Sequence, residues 1–155
     1  MEFISPTKGR LSFEEVFADI MAYAAESPDD SYRLIVGTDS QIRDGTCFVT
    51  ALIVHRLGKG GRFFYTRSYE DHVRALRQRI FFEASLSLSV ASRLAEKLAE
   101  SGHEFDMEIH LDVGSNGATK SLVKEVVCMV NGSGFLCKVK PDSYGASSVA
   151  DRYTK

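Results

Sequence analysis

The chain has no apolar run approaching the roughly 18 residues that a membrane-spanning helix needs, so none is expected. Its N-terminus, MEFISPTKGR, has no apolar stretch behind basic residues, and a signal peptide is not expected either. Cysteine is scarce: Cys47, Cys128 and Cys137 are an odd number and show no CxxC spacing. That argues against a disulfide framework or a zinc site and points to a reducing, cytoplasmic compartment. Positive charge is not in excess. Nineteen Lys and Arg face 21 Asp and Glu, a net charge of −2. Proteins that grip duplex DNA without sequence preference are usually basic, so a histone-like or architectural role is disfavoured. Bound cations at an acidic site would offset part of the acidic surplus. There is no internal repeat, no low-complexity segment, no strongly basic appendage and no Walker A sequence.

What is present suits one soluble α/β domain. The 155 residues are 44 % apolar and 26 % charged, enough for one hydrophobic core. Residues 1–10 read as irregular. Ser12 with Glu15 forms a capping-box pattern, and Phe13, Val16, Phe17, Ile20 and Met21 recur at helical spacing. Residues 1–30 are therefore expected to be an irregular segment and a helix packed on a domain of residues 31–155.

That domain begins with RLIVGT (33–38), a short apolar run read as a buried strand ending on Asp39. Asp44-Gly45 is a hairpin turn signal before the β-rich run 46–55, and LGKGG (57–61) is a second turn before RFFYTR (62–67). A long helix is expected from about Val73 to Glu100, closed by Gly102. MEIHL (107–111) reads as a fourth strand ending on Asp112. The turn 114–117 leads into a helix over about 118–130, and residues 135–139 form a fifth strand. A last helix is expected over 146–153. Three hairpin-linked strands followed by alternating α and β predict a mixed five-stranded sheet with helices on both faces.

Open α/β sheets put their sites at the carboxyl ends of strands, where Asp39 and Asp112 are expected. Glu83 falls on the flank of the long helix shared by Val90 and Leu94. A desolvated carboxylate there costs roughly several kcal/mol unless partnered. Each acid also has an ordinary reading: an Asp at a strand end as a turn former, Glu83 paired with Arg79, and Asp151 paired with Lys155. The metal-site reading depends on all four acids fitting one topology.

This order of elements and acids resembles the RNase H-like superfamily. There, an acid lies on the first strand, one on the first long helix, one at the end of the fourth strand and one on a late helix. Asp39 in GTDSQ, Glu83 in FFEAS, Asp112 in HLDVGSNGATK and Asp151 in ASSVADRYTK take those places. More narrowly, GTDSQ, HLDVGSNGATK and SVADRYTK resemble the YkuK-like family, a bacterial group of unknown function with an RNase H-like fold.

The resemblance implies metal-dependent phosphodiester hydrolysis of a nucleic acid, with two Mg²⁺ or Mn²⁺ ions about 3.5–4 Å apart. Asp39 would bridge the ions, flanked by Glu83, Asp112 and Asp151. Carboxylates supply the oxygen ligands that hard cations need. His110, two residues before Asp112, faces the same side of a strand and is a candidate for bonding a carboxylate or moving a proton. Ser40, Lys120 and Lys155 are candidate substrate contacts, and Arg74, Arg77 and Arg79 form one local basic cluster. Two other readings stay open. One is a non-catalytic module binding nucleic acid or protein, with Phe64, Tyr65 and Tyr69 as candidate stacking surfaces. The other is a nucleotide-phosphate site on the loop DVGSNGATK (112–120), where glycines and a helix N-terminus would offer backbone N–H groups.

Overall fold

A computed structural model describes residues 1–114, 117–140, 142–143 and 153. Its centre is a meander of three long antiparallel strands, β3 (Tyr32–Ile42), β4 (Thr46–Arg56) and β5 (Gly61–Glu70). The LGKGG turn owes its glycines to geometry: Gly58 and Gly60 have φ of 78° and 91°, a region side chains with a Cβ avoid.

Ahead of the meander lie β1 (Glu2–Ser5), β2 (Gly9–Ser12) and α1 (Phe13–Glu26). After it come α2 (Leu76–Glu100), β6 (Asp106–His110), a 3-10 helix (Gly117–Leu122), α3 (Val123–Gly132) and β7 (Leu136–Lys138). The sheet runs β2-β1-β5-β4-β3-β6-β7. β6 is parallel to β3, and β7 is parallel to β6; all other pairings are antiparallel.

The two faces of the sheet separate by strand alternation. Leu34, Val36, Leu52, Val54, Phe64 and Ile109 point to one side. There they join Val16 and Ile20 of α1, Ala84, Val90 and Leu94 of α2, and Val126 and Val130 of α3 in one buried cluster. Each such side chain contributes about 1.5–3 kcal/mol on leaving water. The opposite side carries a smaller cluster of Cys47, Val49, Ala51 and Tyr65, against which Ile4, Phe63 and Tyr153 pack.

Several expectations are corrected here. Among the described residues the sheet has seven strands, not five. Residues 1–10 are not irregular: Glu2–Ser5 and Gly9–Ser12 form a hairpin that extends the sheet at β5 through Ile4 and Tyr65. Its apolar signal is only Phe3, Ile4 and Leu11, too short to register as periodic. Helices do not cover both faces among the described residues, since α1, α2 and α3 share one cluster. The helix expected over 146–153 lies outside the described residues except for Tyr153. The segment expected to be helical from 118 begins as a 3-10 helix, with α3 starting only at Val123.

Candidate metal centre

The site is built where one strand outruns another. β6 pairs with β3 only as far as His110 opposite Gly37, while β3 continues to Ile42 against β4. Asp39 is therefore inside a strand, opposite Val49, and does not terminate one as its sequence suggests. The hairpin partner β4 carries the ladder past the apolar run. The pairing of β6 with β3 thus ends two residues before Asp39. Asp112 follows two residues after β6, at the carboxyl end where open α/β sheets place their chemistry.

Glu83 reaches this place from α2. Thr38 Oγ1 lies 2.8 Å from Ser87 Oγ and 3.0 Å from Thr50 Oγ1, all three residues being buried. Two residues along β3, the Ser40 hydroxyl donates to the Glu83 carboxylate. The spacing matches: four helical residues rise about 6 Å and two strand residues about 6.7 Å, so positions 83 and 87 face positions 40 and 38. Arg79, one turn earlier, donates to Ser40 Oγ and to the Ser40 carbonyl, both at 3.1 Å. The Glu83–Arg79 pairing open from sequence is thus mediated through Ser40.

Burial pushes the Glu83 carboxyl up to about 8 in the metal-free protein. The Ser40 hydrogen bond and the Arg79 charge oppose this, whereas the charges of Asp39 and Asp112 add to it. An acid that feels two neighbouring carboxylates and sits in a dry flank holds its proton unless a cation replaces it.

A fourth participant was not anticipated from sequence. Lys140 Nζ lies 2.8 Å from Asp112 Oδ1. Its ammonium is held more firmly protonated by Asp112 first, with Asp39 and Glu83 adding to the effect. β7 runs parallel to β6 and ends at Lys138, which brings Lys140 level with the Asp112 loop, a placement that no local sequence pattern marks.

The other sequence candidates fall as follows. Ser40 is buried and engaged as described. His110 is buried, with Nε2 3.0 Å from Glu108 Oε1 and an enclosed, unpartnered Nδ1. Glu108 also meets Arg33 at 3.1 Å. Lys120 is exposed, and Asp151 and Lys155 lie outside the described residues. Tyr153, between those last two, stacks on Tyr65 with ring centroids 3.9 Å apart. The local basic cluster disperses: Arg74 bonds the Asp44 carbonyl, Arg77 pairs with Glu125 on α3, and Arg79 turns to Ser40. Among the described residues, no three His, Cys, Asp or Glu side chains stand close enough to hold a metal ion together. The donor chemistry of Asp39, Glu83 and Asp112 nevertheless fits a hard divalent ion, being all carboxyl oxygen with charges of one sign that disfavour each other.

Comparison with known proteins agrees with this architecture. The Ribonuclease H-like family profile matches residues 15–155. The chain belongs to that family. Within it the chain is YkuK-like: it is 33 % identical over 166 aligned residues to Uncharacterized protein YkuK of Bacillus subtilis strain 168, covering 99 % of this chain and 96 % of the relative. An RNase H-like domain of this kind is compatible with nucleic-acid binding or cleavage, and among the described residues no helix is long and apolar enough to cross a membrane.

Proposed function

We propose that this RNase H-like chain is a divalent-metal-dependent nuclease that hydrolyses phosphodiester bonds of a nucleic acid. Asp39, Glu83, Asp112 and Asp151 would hold two Mg²⁺ or Mn²⁺ ions. The observation that supports this most is Glu83, a partly buried acid on α2 held by Ser40, which Arg79 holds in turn, within the field of Asp39 and Asp112. Such an arrangement stores unfavourable charge that a cation relieves. When bound, the ions would lower the pKa of a water and stabilise the leaving oxygen.

The chain's own residues prepare that chemistry. Ser40, held by Arg79, orients Glu83. His110 with Glu108 and Arg33 braces the end of β6, which places Asp112. Lys120 and Lys155 are proposed phosphate contacts. A cytoplasmic location accords with the cysteine usage.

One observation favours a second reading, a non-catalytic binding module. Lys140 already pairs with Asp112, as expected of a residue that stabilises a centre that no longer turns over. The nucleotide-phosphate reading loses support because Gly117–Leu122 is a 3-10 helix and presents no α-helical N-terminus to a phosphate. The deciding experiment incubates the protein with Mn²⁺ and single-stranded RNA, duplex DNA or an RNA–DNA hybrid, beside Asp39→Asn. Cleavage of any polymer that Asp39→Asn lacks is the expected result. Binding without cleavage in both proteins would favour the binding module.

A further inference from the structure

We infer that Lys140 is the resident counter-cation of the carboxylate centre, holding Asp112 while no divalent ion is bound and being displaced when one enters. The inference rests on the metal reading above and adds a competitor to it.

Three features show that the chain is shaped to deliver this ammonium. The first is the backbone. Leu111 N–H donates to the Lys138 carbonyl at 2.9 Å, and Lys140 N–H donates to the Val113 carbonyl at 2.8 Å. These two bonds tie the chain at the end of β7 to the chain that follows β6, so Lys140 is fixed level with the loop at 112–114. The second is Gly114, where an added Cβ would stand 3.1 Å from Lys140 Cβ. A side chain there would press on the lysine stem as it passes. The third is the pair itself, with Nζ 2.8 Å from Oδ1 at the rim of the site, Lys140 being 58 % and Asp112 34 % exposed.

An isolated surface ion pair of this exposure contributes little, because water screens it and two side chains must be held. This ammonium differs in that it pairs with Asp112 while lying within the field of Asp39 and Glu83. It therefore offsets the negative charge of the acidic centre, the same service a divalent ion would render. A dication and an ammonium at the same oxygens repel each other, so the two compete. Displacement is easy because Lys140 is long, single-stemmed and open to solvent. The centre is then stable without metal and takes up metal more weakly than its carboxylates alone would allow.

The test is a calorimetric titration of Mn²⁺ into wild type, Lys140→Met, Lys140→Gln and Lys140→Arg at one ionic strength, each first checked for folding by circular dichroism. Met and Gln remove the charge independently, so either suffices if the other fails to fold. The expected result is Mn²⁺ binding at least about tenfold tighter in Met and Gln than in wild type, with Arg close to wild type. In EDTA, Lys140→Met should also melt at a lower temperature than wild type, and this loss should vanish when Asp112→Asn is already present. Equal or weaker Mn²⁺ binding by Met and Gln overturns the inference and leaves the metal reading standing. Absence of Mn²⁺ binding in all four proteins overturns both.

Discussion

The Ser40 hydroxyl donates to the Glu83 carboxylate, and this bond joins the third strand to the second helix at the mouth of the site. Arg79 holds the same hydroxyl at 3.1 Å from the other side. Ser40→Ala removes the donor to Glu83 and leaves the Arg79 guanidinium without that acceptor. The expected cost is about 1–3 kcal/mol at neutral pH, read from urea unfolding. A change below about 0.5 kcal/mol would mean that Ser40 does not hold Glu83 in solution.

Glu83 makes stability depend on pH in a definite direction. Its carboxyl is raised from an ordinary 4.5 to about 8, first by burial. Between those values the unfolded chain has lost the proton and the folded chain keeps it, so the folded state binds more protons and loses stability as pH rises. Below about 4.5 the contribution is fully present; above about 8 both states are ionised and the slope vanishes. In EDTA, the difference in stability between Glu83→Gln and wild type should therefore grow in favour of the variant by a few kcal/mol, at order of magnitude, from pH 5 to pH 8. A difference that stays level across that range would contradict the raised carboxyl.

The buried hydroxyls of Thr38, Thr50 and Ser87 form a chain that docks the middle of α2 on the sheet. Thr38→Val keeps the shape and leaves two enclosed hydroxyls short of a partner, at an expected cost of about 1–3 kcal/mol. Adding Ser87→Ala to it should cost less than Ser87→Ala does in wild type, because their shared bond is already gone. Strict additivity in the double-mutant cycle would show that the two hydroxyls are not coupled.

The N-terminal hairpin is part of the core. Phe3 is fully buried and packs against Phe13, with ring centroids 6.2 Å apart. Phe3→Ala should lower stability by about 3–5 kcal/mol, the range for a large core aromatic. A loss under about 1 kcal/mol would place the hairpin outside the cooperative unit.

The elements with strong periodicity were legible without coordinates. Ser12 and Glu15 form the reciprocal cap expected of them, and α1 ends at Glu26 just before Ser27. The meander was legible from its glycine turns, and Glu83 from its place beside Val90 and Leu94, which are both buried. The hairpin at Glu2–Ser12 was missed because two four-residue strands offer too few alternations to outweigh Pro6, Thr7 and Gly9. Asp39 was placed at a strand end because the apolar run stops there. Polar residues 39–41 continue the strand because β4 supplies their backbone partners. Lys140 was missed because its role depends on a parallel neighbour far away in sequence, and a lysine near a strand end carries no local mark of that.

The central proposal is that Asp39, Glu83, Asp112 and Asp151 together hold divalent cations. Calorimetric titration of Mn²⁺ into wild type, Asp39→Asn and Asp112→Asn, repeated with a non-cleavable phosphorothioate oligonucleotide present, tests it most directly. Saturable binding by wild type that both variants lose or weaken by at least about tenfold, roughly 1.4 kcal/mol, is the predicted result. No binding by wild type under either condition, or equal binding by all three proteins, would contradict it.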